Sequence, residues 1–173
     1  MKRLFPAIIA VIFLAGFTTC AVHSSAQTSS DKKEAKAKNK QAVTIAVSNK
    51  HYNISVNSAT GQRGRRINLT SPYGIKVSAS EVNCDLPYYG QAYSNAGYNS
   101  GGGVNFKSTN FEYTSVDGKK GGWNITIKPK DQTDVQEIML YISPDGYTDI
   151  SITFNSRSSM RYSGMMVFAE AKE

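Results

Sequence analysis

The 173-residue chain contains only two cysteines and two histidines. Cys20 and His23 lie in an N-terminal segment that we expect to be cleaved, which leaves Cys84 and His51. One cysteine cannot form an intramolecular disulfide, and the apolar stretch around Cys84 predicts that it is buried. A lone histidine in a predicted turn makes a poor zinc ligand and a poor partner for nucleophilic catalysis. The sequence therefore predicts no catalytic residue, no metal site and no cofactor.

The chain also carries little net charge outside its N-terminal part. The formal net charge is +7, but from residue 41 onward 13 Lys or Arg stand against 11 Asp or Glu, which leaves +2. The short cluster of Arg63, Arg65 and Arg66 is too small for a nucleic-acid interface in a domain of so little net charge. We predict no nucleic-acid partner and a solvated loop at 62–66, with contact to an acidic polysaccharide as the alternative.

Long apolar runs are absent except at residues 4–17, which follow Lys2 and Arg3. This charged start, the apolar run and the small residues at 24–26 form the pattern of a secretory signal peptide. The run is shorter than the roughly 20 residues of a transmembrane helix, so we predict export without a membrane span. The expected location is periplasmic, cell-surface or secreted. The alternative is lipidation at Cys20, which would tether the protein to a membrane.

The rest of the chain is predicted to be an all-β domain. Hydrophobic residues alternate with polar ones, as expected for strands with one face on a core, at 43–47, 52–56, 123–127 and 150–154. Shorter candidates lie at 66–69, 75–79, 104–107, 111–115, 138–143 and 162–169. Turn residues separate them at Asn49-Lys50, Asp117-Gly118 and Asp145-Gly146. This pattern predicts a single antiparallel β-sandwich or small β-barrel.

Three segments follow from these patterns. We predict a signal peptide at 1–26, a basic polar spacer at 27–41 and the all-β domain at 42–173. The spacer has no large apolar residue to pack against a core, although its Ala, Lys and Glu residues favour helix.

Tyrosine is concentrated in one short segment. Residues 84–98 hold four of the ten tyrosines and run into glycines at 101–103. Clustered tyrosine rings offer apolar faces with hydroxyl tips, which suit a sugar, a peptide or a protein partner. The alternative is that the rings close one end of the domain, with their hydroxyls bonded to loop backbone.

Two stretches of the sequence resemble a known family. Residues 85–93, Asp-Leu-Pro-Tyr-Tyr-Gly-Gln-Ala-Tyr, resemble the aromatic motif of exported proteins from Bacteroidetes-type Gram-negative bacteria, catalogued as domain of unknown function 4251. Residues 155–164 resemble the C-terminal pattern of the same family. Gln91 stands where the motif often has arginine, and Arg161 where an apolar residue is expected. The resemblance, over about 35–170, implies an exported β-rich domain and no established activity.

The leading hypothesis is therefore a non-catalytic binding or structural module of the bacterial envelope, with an envelope protein or glycan as its partner. Its predicted recognition surface consists of Tyr88, Tyr89, Tyr93, Tyr98, Arg157 and Tyr162. One alternative is a lipocalin-like barrel that carries a small apolar ligand. A second is an envelope hydrolase that uses the carboxylates of Asp85 and Glu112.

Overall fold

The computed structural model describes residues 27–61, 63–91 and 103–167. The predicted signal peptide, Cys20, Tyr93 and Tyr98 lie outside these residues. One helix precedes nine strands, with bounds α1 Gln27–Ser48, β1 Tyr52–Thr60, β2 Arg66–Val77, β3 Val82–Pro87, β4 Gly103–Ser108, β5 Phe111–Asp117, β6 Trp123–Pro129, β7 Val135–Ile142, β8 Tyr147–Phe154 and β9 Met160–Val167.

All nine strands belong to one antiparallel sheet of order β4-β3-β2-β1-β9-β8-β7-β6-β5. The sheet curls into a nearly closed barrel whose edge strands are β4 and β5. These two edges follow one another in the chain, separated only by Thr109 and Asn110. The prediction of an all-β antiparallel domain is confirmed, and of the two predicted forms the structure has the barrel.

Alternate side chains of each strand fill the barrel. In β1, Tyr52, Ile54 and Val56 are buried while the residues between them are exposed, and β8 and β9 follow the same period of two. Burying a large aliphatic side chain stabilises the fold by about 1.5–3 kcal/mol, so this interior is the main source of stability. Cys84 is fully buried, as predicted, and desolvation raises the pKa of its thiol far above the usual value.

The prediction of a first strand at 43–47 is wrong, because α1 continues to Ser48. Val43 and Val47 are one helical turn apart and both are buried, whereas Ile45 between them is exposed. The Thr44 hydroxyl donates a hydrogen bond of 2.7 Å to the Lys40 carbonyl, one turn earlier. The period is thus that of a helix whose last turns pack on the barrel.

Two of the three predicted turns also differ from expectation. Asn49-Lys50 ends the helix instead of joining two strands, and Lys50 takes a left-handed φ of 50°. Gly118 is extended, and the left-handed positions of its loop are Lys120 and Gly121. At the third turn Gly146 has the predicted positive φ, +89°. The division of the chain into signal peptide, spacer and domain stays a prediction.

Strand β2 separates from β3 halfway along its length. It pairs with β3 only from Gly74 to Val77, and the ladder stops before Pro72. Proline has no N–H to donate to a ladder and is therefore found at sheet edges. The first half of β2 therefore has no partner in β3, which itself ends at Pro87.

Asp131 binds the short connection between the two edge strands. Its carboxylate, just after β6, accepts hydrogen bonds from the Ser108 hydroxyl and from the backbone N–H groups of Thr109 and Asn110, at 2.5, 2.9 and 3.3 Å. These bonds, the one from Ser108 most, hold the pKa of Asp131 below its ordinary value. The carboxylate therefore fixes the short β4–β5 connection against the end of β6.

Replacing Asp131 by Asn is expected to lower stability at neutral pH and to flatten its loss in acid. A carboxyl group whose pKa is lowered by folding stabilises the folded state above its unfolded pKa, about 3.9. That contribution disappears as the pH falls through the lower folded-state pKa. Urea unfolding of both proteins at about pH 7 and about pH 3 measures the effect. An equal loss of stability between the two pH values in wild type and variant would contradict it.

Candidate functional site

The barrel has two different ends. α1 covers the end where β1 begins, and its Lys36 ammonium lies 3.9 Å from the Asp145 carboxylate in the turn before β8. At the opposite end lie residues 61 and 63–65 after β1, residues 88–91 after β3, residues 130–134 between β6 and β7, and residues 155–159 between β8 and β9. We call this the loop end.

Arg157 is the central side chain of the loop end. Its guanidinium, only 7% exposed, forms an ion pair with Asp134 and donates a hydrogen bond of 3.3 Å to the Gly103 carbonyl. The same group lies 4.6 Å from the ring centre of Tyr88 and 4.7 Å from that of Phe154. Arg157 thus joins β4, the β6–β7 loop, the β8–β9 loop and the tyrosine segment.

Ser158 fixes the tyrosine segment from the other side. Its hydroxyl accepts a hydrogen bond of 2.9 Å from the Gln91 N–H and lies 3.0 Å from the Tyr88 hydroxyl. The Ser158 N–H donates in turn to the Gln91 carbonyl at 3.0 Å. This exchange fixes Tyr88 and Gln91 to the barrel, and Tyr89 and Gly90 between them are carried on a braced turn.

Gly90 permits this close approach. A Cβ atom on Gly90 would overlap the Tyr88 hydroxyl and lie 2.5 Å from the Ser158 Oγ. A larger residue would push apart the groups that hold the turn.

The six residues of the predicted recognition surface have different surroundings. Tyr162 is buried, and its hydroxyl donates to the Pro87 carbonyl at 2.9 Å. Tyr88 is half-buried and Arg157 is buried in the contacts described above. Tyr89 is 48% exposed. The structure thus brings Tyr88, Arg157 and Tyr162 together beneath Tyr89, while Tyr93 and Tyr98 lie outside the described residues. The binding role of this set stays a prediction.

A cleft of about 450 Å³ opens beside Tyr89, where β2 has separated from β3. Its lining includes the following residues: Gly61, Arg63, Arg65, Ile67, Tyr89, Gly90, Gln91 and Ser158. Both arginines are exposed, and the part of the cleft wall that is described contains no carboxylate. Sequence reasoning found this basic loop but not its place beside Tyr89, because nothing local connects residues 63–65 with residue 89.

The carboxylates of the hydrolase alternative have separate partners. The Glu112 carboxylate forms an ion pair with Lys130, with 2.7 Å between Oε1 and Nζ, and this hydrogen bond lowers the pKa of Glu112. Asp85 lies 3.5 Å from the Asn105 amide, in a groove formed by β1, β2, β3 and β4. A general acid needs a raised pKa, whereas the environment of Glu112 lowers the pKa of its carboxyl group.

In residues 27–61, 63–91 and 103–167, no group of three or more His, Cys, Asp or Glu side chains is placed to hold a metal ion. In the same ranges, no helix combines the length and the hydropathy that crossing a membrane requires.

Comparison with known proteins identifies the family. The model of the family described as Domain of unknown function (DUF4251) matches residues 34–166. Among solved structures, the chain is similar to a DUF4251 family protein from Bacteroides eggerthii DSM 20697, with 18% identity and a TM-score of 0.61. The match covers 78% of this chain and 91% of that one, and at this identity it concerns the fold. No curated protein matches. The chain therefore belongs to the DUF4251 family, the family that its aromatic motif resembles.

Proposed function

We propose that this chain is an exported, non-catalytic binding module of the bacterial envelope, which recognises an envelope protein or glycan at the loop end of its barrel. The observation that carries the proposal is the contrast between Tyr89 and its neighbours. The hydroxyls of Tyr88 and Tyr162 donate hydrogen bonds within the protein. The Tyr89 ring, in contrast, is 48% exposed beside a cleft.

The turn that carries Tyr89 is braced before any partner arrives. Tyr88 is fixed by Ser158 and by the Arg157 guanidinium. The backbone N–H of Gln91 donates to the Ser158 hydroxyl, and the Gln91 carbonyl accepts from the Ser158 N–H. A ring presented on a fixed turn loses little conformational entropy on binding, and this preorganisation favours affinity. Tyrosine also combines an apolar face with a polar tip, which suits both protein and glycan partners.

The interior of the barrel bears on the carrier alternative. Side chains from opposite strands occupy it, and Tyr162, Met160, Ile152 and Leu140 are among the largest that are fully buried. A carrier requires a cavity in place of such side chains. We therefore place the binding site at the loop end and not inside the barrel.

The proposal is tested by replacing Tyr89 with Ala. We expect capture of separated envelope glycans and proteins by the immobilised variant to fall at least tenfold. The melting temperature should change by no more than about 2 °C, because substitution of an exposed side chain costs little stability. Bound material and the melting curve are measured on the same preparations.

The matched control is Tyr147→Ala. Tyr147 is 63% exposed on β8, at the end of the barrel that α1 covers, so its loss should leave capture unchanged. Equal capture by wild type and Tyr89→Ala would contradict the proposal. A large fall in melting temperature of Tyr89→Ala would show that the ring is structural.

A further inference from the structure

We infer that the ligand of the cleft beside Tyr89 is an acidic polysaccharide, bound through its carboxylate, sulfate or phosphate groups by Arg63 and Arg65. The inference rests on the proposed function and names the class of ligand for that site. It depends on the charge of the cleft wall, on the chemistry of the groups beside it and on the shape of the opening.

The wall of the cleft is positively charged. Two guanidinium groups line one cleft of about 450 Å³, and the described lining offers no carboxylate to either of them. Nor does either arginine form an ion pair elsewhere among the residues that the structure describes. Like charges that share one cleft repel each other, and an anion bound between them would remove that repulsion. Guanidinium groups also bind carboxylate, sulfate and phosphate oxygens with paired hydrogen bonds.

The neighbouring groups favour a saccharide over other anions. The exposed face of Tyr89 offers an apolar surface for the C–H face of a sugar ring, and Gln91 adds an exposed amide that can bond to hydroxyl groups. An acidic peptide would instead add to the free edge of β2, but Pro72 has no N–H to donate there and interrupts that edge.

The shape favours a chain over a single sugar. The cleft lies between the first half of β2 and the turn after β3, and it is only partly enclosed. A site for an isolated small molecule usually encloses most of its ligand. An open, braced cleft suits a polymer that passes across it and places successive acidic groups near Arg63 and Arg65.

The experiment compares two ligands that differ in charge and in one methyl group per sugar. A galacturonate oligosaccharide carries one carboxylate per sugar, and its fully methyl-esterified form carries none. Binding of each to the wild-type protein is measured by calorimetry at low and at high salt. We expect the acid form to bind at least tenfold more tightly at low salt, and its affinity to fall as salt screens the charges.

The arginines are tested with the double variant Arg63→Gln/Arg65→Gln. We expect it to bind the acid form at least tenfold more weakly than wild type and to lose most of the salt dependence. The control is Lys119→Gln/Lys120→Gln, which removes the same charge from the exposed loop between β5 and β6 and should bind as wild type does. Circular dichroism melting of each variant shows that the fold is retained.

The failure of this inference can be told apart from failure of the proposed function. If the methyl-esterified form binds as tightly as the acid form and Tyr89→Ala abolishes both, the site is a binding site for neutral glycans and the inference is wrong. If Tyr89→Ala changes binding of neither form, the proposed function is wrong. No binding of the acid form at about 1 mM overturns the inference. Equal affinity for poly-glutamate of matched charge, or for phosphatidylglycerol vesicles, overturns it in favour of a peptide or a membrane.

Discussion

Gly164→Ala is expected to destabilise the folded protein by about 3 kcal/mol or more, which corresponds to a fall in melting temperature of about 6–12 °C. Gly164 is buried in β9 and pairs with Val56, next to the irregularity in β1 between Val56 and Ser58. A Cβ atom on Gly164 would lie closer to the Ser55 carbonyl oxygen than van der Waals contact allows. Since that oxygen belongs to the backbone of a paired strand, relief requires the ladder itself to move. Urea and thermal unfolding measure the loss.

Two further glycine variants show how large the loss of stability should be. Gly74, on the other side of β1, would place a Cβ against the Ile54 carbonyl oxygen, so Gly74→Ala should also be strongly destabilising. Gly61→Ala is the control, because its Cβ would have its nearest neighbour at 3.6 Å, an ordinary contact. That variant should be neutral or slightly stabilised, by up to about 1 kcal/mol. If Gly164→Ala behaved like Gly61→Ala, the pairing of β1 with β9 would not require a residue without a side chain at this position.

Arg157→Ala is expected to cost about 3 kcal/mol. Removing one partner of a buried ion pair typically costs about 3–5 kcal/mol, and the lower figure applies because the Asp134 side chain is 35% exposed and can be rehydrated. The variant also loses the packing of the guanidinium against Tyr88 and Phe154. We expect a lower urea midpoint with an unchanged slope, since the unfolded surface stays the same.

The control for this prediction is Arg161→Ala, which removes an exposed arginine four positions later in the chain. It should change stability by no more than about 0.5 kcal/mol. Arg157→Lys should recover little, because an ammonium group cannot both pair with Asp134 and stack between two rings. Full recovery by lysine would show that charge alone matters at this position.

The strands could be predicted from the sequence wherever one face is consistently apolar. β1, β6 and β8 follow the alternation closely, whereas β3 was missed although Cys84 and Leu86 alternate with Asn83 and Asp85. The segment at 43–47 satisfies both periods, because alternate residues in a short run also include positions four apart. The helix is favoured because it lets Val43 and Val47 both pack on the end of the barrel, and this contact cannot be recognised from the sequence.

The site was less predictable, because its contacts connect distant parts of the chain. The tyrosine segment is visible as a composition, but the partner of Tyr88 is Ser158, 70 positions away. The ion pair of Arg157 with Asp134 and the position of Arg63 beside Tyr89 depend on how the loops of the barrel meet. No period or motif encodes such distances, so the sequence could name candidates but could not separate the exposed ring from the braced ones.

The strand order has a consequence for how the chain folds. Between the described strands, every ladder but one joins neighbours in the chain, so β1–β4 and β5–β9 can each form by local pairing. The exception is β1–β9, which brings together residues more than 100 positions apart, such as Asn53 and Val167. A non-local contact forms slowly, because the entropy cost of closing the long loop comes before the contact can stabilise the fold. The kinetic bottleneck therefore belongs at the β1–β9 seam, where Gly164 lies.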